Sequence, residues 1–234
     1  MNRLVNLLKQ WNIEVNDDQL NQFQKYYEML IEWNDKINLT AITELEDVIY
    51  KHFLDSSALL RFMDLSGKSI IDVGTGAGFP GIVLKILCPL SKVTLLDSLN
   101  KRIVFLDEVI NELGLTNISA VHGRAEDCAH DKLFRERYDI VTSRAVANLS
   151  TLSEYCLPFA KVNGMFIPYK SGNIDEEIIC SEKAVSILGS SVEKVEKFVL
   201  PETDFDRSLV FIKKNKMTVK QYPRKAGTPT KSPL

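Results

Sequence analysis

The sequence predicts an α/β fold, with a Rossmann-like, mostly parallel sheet that follows a helical N-terminal extension. From residue 69 onward, short apolar segments of strand character alternate with helical segments, which is typical of parallel strands covered by helices on both faces. A glycine-rich loop follows the first of these strands, at the edge where open α/β sheets bind ligands. We therefore expect a helical extension at 1–65, a core at 66–214 and a C-terminal arm at 215–234.

Length and composition indicate a globular chain. The 234 residues, 45% of them hydrophobic, are sufficient for a packed core. No apolar run is long enough to cross a bilayer, and the first residues lack the features of a signal peptide, so we expect a cytoplasmic monomer with no membrane partner. The four cysteines and three histidines form neither a C-x-x-C pair nor a metal-ligand spacing, which predicts no metal and no disulfide.

The extension carries two apolar helical faces. The first comprises Leu4, Leu7, Leu8 and Trp11, and the second comprises Leu20, Phe23, Tyr27, Leu30 and Ile31. Between them, Asn16 is placed to cap the second helix, with Gln19 at the reciprocal position of a capping box. Further helix is predicted at 45–50 and 52–62.

The remaining pattern predicts a seven-stranded sheet. The predicted strands are 69–73, 92–97, 118–121, 138–143, 164–169, 192–199 and 208–213. Helices are predicted directly after Gly81 and at 101–113, 149–160 and 175–188. Because the last strand follows its predecessor without an intervening helix, we expect the sheet to end in an antiparallel pair.

The spacing of the glycines distinguishes between cofactors. After Gly74 and Gly76 the third glycine is Gly78, whereas a dinucleotide loop requires glycine at the position occupied by Phe79. A G-x-G-x-G loop, together with Asp97 at the end of the second strand, resembles that of class I S-adenosylmethionine-dependent methyltransferases. In that family the second acid binds the ribose hydroxyls. The alternative is a tight turn in which glycine serves only the backbone geometry.

The C-terminal arm is basic. Residues 213–234 contain seven Lys or Arg and no acid, although the whole chain has a net charge of −2, so the remainder is acidic. A basic arm on an acidic body favours a local polyanion contact, and the alternative is a solvated tail. We expect Lys220, Tyr222, Arg224 and Lys225 to bind RNA. We also expect removal of the arm to leave cofactor binding intact.

Five separated segments together resemble one family. They are 52–56 (His-Phe-Leu-Asp-Ser), 72–81 (Asp-Val-Gly-Thr-Gly-Ala-Gly-Phe-Pro-Gly), 101–106 (Lys-Arg-Ile-Val-Phe-Leu), 143–147 (Ser-Arg-Ala-Val-Ala) and 222–229 (Tyr-Pro-Arg-Lys-Ala-Gly-Thr-Pro). Their combination is similar to the bacterial small-subunit ribosomal RNA methyltransferase G family, also called glucose-inhibited division protein B, over nearly the whole chain. One departure is Ser171, which separates Lys170 from Gly172 where the family has lysine and glycine adjacent.

The resemblance implies an activity and its residues. It implies methylation of N7 of one guanine in 16S rRNA, free or within the small ribosomal subunit, with S-adenosyl-L-methionine as cofactor. The implied cofactor-binding residues are Asp72, Gly74, Gly76, Gly78, Phe79, Asp97, Ala125, Glu126 and Arg144. Arg144 is also the implied catalytic residue, beside the methionine group or the target base.

Without the resemblance, these positions have plainer interpretations. Residues 123–127 read as a polar turn and helix start, and Arg144 as an ion pair at a strand end. His52 and Asp55 are three apart on one helix face, which is more typical of a pair that ties a helix to its neighbour than of a catalytic pair.

The residues agree with methylation at guanine N7, which has a lone pair and no proton, so that attack on a sulfonium methyl needs no general base. The Asn/Asp-Pro-Pro-aromatic motif common in amine methyltransferases is absent after the fourth strand, and Cys156 lies mid-helix among apolar neighbours, unlike a nucleophile. Two alternatives are a small-molecule methyltransferase and a noncatalytic binding protein. The basic arm argues against the first, and the intact glycines with Asp97 argue against the second.

Overall fold

The computed structural model describes residues 1–234 and contains one seven-stranded sheet in the order β3-β2-β1-β4-β5-β7-β6. The strands are β1 (Ser69–Val73), β2 (Lys92–Asp97), β3 (Ile118–His122), β4 (Tyr138–Arg144), β5 (Ala160–Ser171), β6 (Ser190–Val199) and β7 (Asp206–Lys214). The first five are parallel, and β7 runs antiparallel to both β5 and β6, which confirms the predicted ending of the sheet. This topology brings the carboxyl ends of β1, β2 and β4 to one edge.

Helices cover both faces of the sheet. They are α1 (Asn2–Gln10), α2 (Asp17–Ile37), α3 (Leu45–Val48), α4 (Asp55–Ser57), α5 (Gly81–Leu87), α6 (Asn100–Glu112), α7 (Ala125–Cys128), α8 (Leu149–Cys156), α9 (Asp175–Ile187) and α10 (Thr228–Lys231). Apolar side chains of α1, α2, α3, α5 and α6 line one face, and those of α8 and α9 line the other. None of these helices is both long and apolar enough to cross a membrane.

Residues 45–61 form one continuous helical segment where the sequence predicts two helices. Between α3 and α4 the backbone opens to π-helical geometry at Ile49–Leu54, and a 3-10 turn at Ala58–Arg61 ends the segment. A π-helical turn holds more residues than an α-helical turn, and such turns are frequent at functional sites. Here the π-helical stretch carries His52 and delivers Asp55 to the edge where β1 and β4 end.

The extension shares a hydrophobic core with the sheet. Asn16 and Gln19 form the predicted capping box, with backbone-to-side-chain distances of 2.9 and 3.0 Å. On α2, however, Tyr26 is buried, and Tyr27, which the sequence places on the apolar face, is only partly buried. Tyr26 and Tyr27 follow Phe23 by three and four residues, and both spacings are compatible with the apolar face of a helix. Only the Tyr26 hydroxyl donates to the Ala77 carbonyl in the glycine-rich loop.

The C-terminal arm folds back onto the core. Its α10 packs against α8, and the Thr230 and Tyr155 hydroxyls are 2.8 Å apart. The guanidinium of Arg224 forms an ion pair with Glu154, a carboxylate that is fully buried. The arm therefore makes specific contacts with the core, while several of its lysines remain exposed.

Candidate functional site

The glycine-rich loop connects β1 to α5 and lies very close to its surroundings. Gly74, Gly76 and Gly78 have φ angles of +70°, +62° and +101°, a region that favours glycine. A Cβ on Gly74 would lie 2.7 Å from the Val146 side chain, and one on Gly78 would lie 2.7 Å from the Tyr26 hydroxyl. Both the backbone conformation and the packing therefore require glycine at 74 and 78.

Two buried carboxylates hold this loop in place. Asp72 lies beneath it, where one carboxylate oxygen accepts hydrogen bonds from the Gly81 N–H at 2.9 Å and the Thr75 hydroxyl at 2.7 Å. Burial raises the pKa of Asp72 to about 6. Asp97 accepts from the Gly76 N–H at 2.9 Å, and its other oxygen accepts from the Leu99 N–H at 2.9 Å. Asp97 therefore joins the end of β2 to the loop.

Two adjoining cavities open at this edge of the sheet. The larger, about 850 Å³, is lined by Gly74, Gly76, Phe79, Asp97 and Arg144 among others. The smaller, about 330 Å³, is lined by residues that include Gly123, Ala125, Glu126, Tyr155 and Gly227. The Val146 side chain and Asp97 border both cavities, so an elongated ligand could occupy the two together. The volumes are in the range of small-molecule sites.

Arg144 is held by the helical extension. Its guanidinium donates to the Asp55 carboxylate at 2.8 Å and to the Lys51 carbonyl at 2.7 Å. The second carboxylate oxygen of Asp55 accepts from Arg207 Nε at 2.9 Å, so one buried acid orients two arginines on the cavity wall. The guanidinium carbon of Arg144 lies 5.2 Å from the Phe79 ring centroid, a cation–π distance.

His52 completes this cluster as an uncharged group. Its ring stacks on Phe79 with centroids 4.4 Å apart, and its nitrogens lie 3.1 Å from an Arg144 nitrogen and 2.9 Å from the Thr40 hydroxyl. Burial, reinforced by the Arg144 charge, lowers the pKa of His52 to about 3. A neutral imidazole accepts from Arg144 and donates to Thr40. His52 and Asp55 thus tie the helical segment to β4 through Arg144.

No cysteine lines either cavity. Cys156 is fully buried and lines neither cavity, and burial raises its pKa well above the ordinary value. Five cations line the larger cavity against three acids: Lys51, Arg102, Arg144, Lys170 and Arg207 against Asp55, Asp97 and Glu177. This excess of cations suits an anionic ligand, and the site can bind and orient a reactant without forming a covalent bond to it.

The structure brings most of the predicted cofactor residues together and separates two from the rest. Gly74, Gly76, Phe79, Asp97 and Arg144 line the larger cavity, and Ala125 and Glu126 line the smaller one. Asp72 and Gly78 line neither cavity. Asp72 supports the loop from below, and Gly78, within the loop, packs against Tyr26.

The predicted RNA-binding residues lie on the arm in different environments. Lys220 and Lys225 are exposed and Tyr222 is partly buried, whereas Arg224 is bound to Glu154.

Sequence reasoning did not select Asp55, Arg207, Val146 or Gly227 as site residues. Asp55, Val146 and Gly227 belong to the segments that carry the family resemblance, which could have identified them. Arg207 has no such signal, because its role depends on pairing with Asp55, which is 152 residues away along the chain.

We predict that His52 makes the protein less stable in acid. The unfolded state takes up a proton below pH 6.5 while folded His52 stays neutral to about pH 3, so its stabilising contribution is present above pH 6.5 and lost as the pH falls. Between pH 7 and 5, wild type should lose about 2 kcal/mol of unfolding free energy relative to His52→Gln, measured by urea denaturation. Asp72 acts in the opposite direction but is common to both proteins. Parallel pH profiles would contradict an uncharged His52.

Known proteins resemble this chain over most of its length. A family model described as rRNA small subunit methyltransferase G matches residues 19–210. The ribosomal RNA small subunit methyltransferase G of Lachnoclostridium phytofermentans is 55% identical over 228 residues, covering 97% of this chain and 94% of that protein. That of Exiguobacterium sibiricum is 47% identical over 233 residues, covering 99% and 98% of the two chains.

Solved structures confirm the predicted fold. A SAM-dependent methyltransferase from Aquifex aeolicus has a TM-score of 0.54 at 19% identity, and the match covers 72% of this chain and 93% of that protein. TYW2 from M. jannaschii, solved in complex with AdoMet, has a TM-score of 0.56 at 14% identity, with coverage of 74% and 78%. The family model and the relatives match nearly the whole chain, and it follows that this chain is a member of the rRNA small subunit methyltransferase G family.

Proposed function

We propose that this protein transfers a methyl group from S-adenosyl-L-methionine to N7 of a guanine in 16S rRNA. The observation that carries the proposal is the pair of cavities beside the glycine-rich loop, with Asp97 between them and Arg144 on the wall. The names of the relatives support rRNA of the small subunit as the substrate.

The residues present fit this cofactor. Asp97 lies where the two cavities adjoin. Its oxygens accept from the Gly76 and Leu99 N–H groups and, at 3.2 Å, from Arg102, and the remaining carboxylate lone pairs can accept from ribose hydroxyls. Ala125 and Glu126 border the space for an adenine, and Arg144 and Lys170 offer cations to a carboxylate. A Cβ on Gly76 would have no neighbour within 4 Å, so the loop leaves open space at the point where the ligand would approach.

The chain's own residues supply positioning and electrostatics. When bound, the cofactor supplies an electrophilic methyl group on a sulfonium centre. Guanine N7 attacks with a lone pair and loses no proton, so the reaction requires no general base. The guanidinium of Arg144, aligned by Asp55, can donate to guanine O6 or to a carboxylate. The neutral His52 keeps this donor in place without adding a competing charge.

We also infer that the arm contacts RNA and that the chain acts as a monomer on the small subunit in the cytoplasm. Lys220 and Lys225 project from the arm as exposed cations, and Tyr222 could stack on an unpaired base. Both cavities are built from one chain, so the site needs no second copy.

The direct test is to map the methyl group. Labelled cofactor with naked 16S rRNA or with small subunits should give label at N7 of one guanine. We expect Arg144→Ala to lower the methylation rate more than tenfold, equivalent to about 1.4 kcal/mol. The control is Arg137→Ala, which lies directly before the first residue of β4, far from the cavities, and should keep the wild-type rate.

Cys156→Ser should stay active, because the reaction forms no covalent adduct with the protein. Label on a small molecule in place of rRNA, or an inactive but folded Cys156→Ser protein, would refute the proposal.

Gly76→Val should abolish binding of S-adenosylhomocysteine, measured by calorimetry, because its side chain enters the larger cavity. The matched control is Gly67→Val. Gly67 has a similar φ of +70°, and a Cβ added there would have no neighbour within 4 Å, but it lies outside both cavities. Both variants therefore carry similar backbone strain, and only Gly76→Val should lose the ligand. Equal affinities would place the cofactor elsewhere.

Replacing Lys220 and Lys225 together by alanine should weaken rRNA binding and make it less dependent on salt. If both lysines contact phosphates, the slope of log affinity against log salt should become shallower by roughly 1.4 to 1.8. The control is a double replacement of Lys9 and Lys183, which are also exposed but lie on α1 and α9. An identical slope in wild type and the arm variant would exclude these lysines from the RNA interface.

A further inference from the structure

We infer that the C-terminal arm forms one wall of the cofactor site and that the Arg224–Glu154 pair sets cofactor affinity by positioning this wall. The inference rests on the proposed function and goes beyond it, because it assigns the arm a role at the cofactor as well as at RNA. It also reverses the sequence-based expectation that the arm is independent of cofactor binding.

The arm reaches the smaller cavity at Gly227. Gly227 lines that cavity together with Glu126, and its backbone N–H lies 3.2 Å from the Glu126 carboxylate. Tyr155 lines the same cavity, and its hydroxyl is 2.8 Å from that of Thr230 on the arm. Two arm residues thus contact two residues of the space that we assign to the adenine.

A buried ion pair holds the arm in this position. Glu154 is 0% exposed and accepts from the backbone N–H of Arg224 at 2.7 Å and from its Nε and Nη2 at 2.9 and 2.7 Å. A buried carboxylate is costly without a partner, so this pairing strongly favours one placement of Arg224. Glu154 is the neighbour of Tyr155 on α8, so the anchor of the arm and the cavity wall share one helix.

Further contacts constrain the arm before Arg224. The His130 ring lies 2.8 Å from the Pro223 carbonyl, and Arg135 donates to the carbonyls of Tyr222 and Thr218 at 2.9 and 2.8 Å. After Arg224, a turn closed by the Thr228 N–H on the Lys225 carbonyl at 2.9 Å carries the chain to Gly227. Because Gly227 is only three residues from Arg224, we expect displacement of Arg224 to shift Gly227 in the cavity wall.

The consequence is thermodynamic coupling between the arm and the cofactor. If the ligand contacts the wall that the docked arm completes, it binds the docked state more tightly than the released state. By reciprocity, the bound ligand must stabilise the docked arm by the same factor. Both directions can be measured without any turnover.

The first part of the test compares variants by calorimetry with S-adenosylhomocysteine. We expect Arg224→Ala to bind at least tenfold more weakly than wild type. The control is Lys231→Ala, which removes an exposed charge from the same arm and should bind as wild type does. Circular dichroism of the unliganded proteins establishes that each variant is folded. Wild-type affinity in a folded Arg224→Ala protein would overturn the inference.

The second part uses hydrogen exchange of wild type and does not depend on any variant. Saturating S-adenosylhomocysteine should slow exchange at residues 222–228 and leave α1 unchanged. Unchanged exchange at 222–228 would overturn the inference while the proposed function stands, since ligand binding itself is seen. Failure of wild type to bind the ligand at all would overturn the proposed function, and this inference with it.

Discussion

The glycine-rich loop lies so close to its neighbours that most of the site depends on the lack of a Cβ there. A Cβ on Gly81 would lie 2.3 Å from the Leu95 side chain and 3.0 Å from an Asp72 oxygen, and one on Gly74 would meet Val146. Strand β2, the segment after β4 and the start of α5 can therefore converge on the loop. The same closeness lets the loop's backbone N–H groups reach Asp72 and Asp97.

The helical extension is part of the site because of one buried carboxylate. Asp55 accepts from Arg144 with one oxygen and from Arg207 with the other, and so connects residues 45–61 to β4 and β7. Burying this acid is tolerable only because two guanidinium groups neutralise and hydrogen-bond it. In return, Arg144 keeps one orientation above the Phe79 ring, where a free side chain of that length would be mobile.

The titratable groups of the site fall into two classes, those buried in the protein and those that line the cavity. Asp72 is under the loop with its pKa raised by burial, and His52 is neutral because burial and Arg144 both oppose its protonation. Both groups are hydrogen-bonded inside the protein. Five cations and three acids line the larger cavity, so its net charge favours an anionic ligand, and the arm adds further cations at the surface.

The sequence by itself determined the order of strands and helices, the glycine-rich loop, Asp97 at the end of β2 and the Asn16–Gln19 capping box. These features follow from side-chain periodicity and local backbone conformation, which neighbouring residues specify. Only the tertiary structure decided that Asp72 supports the loop from below, that Asp55 joins Arg144 to Arg207, and that Glu154 binds Arg224. The ion pairs of Asp55 and Glu154 join residues at least 70 positions apart, and a buried charge takes whichever partner the packed fold brings within reach.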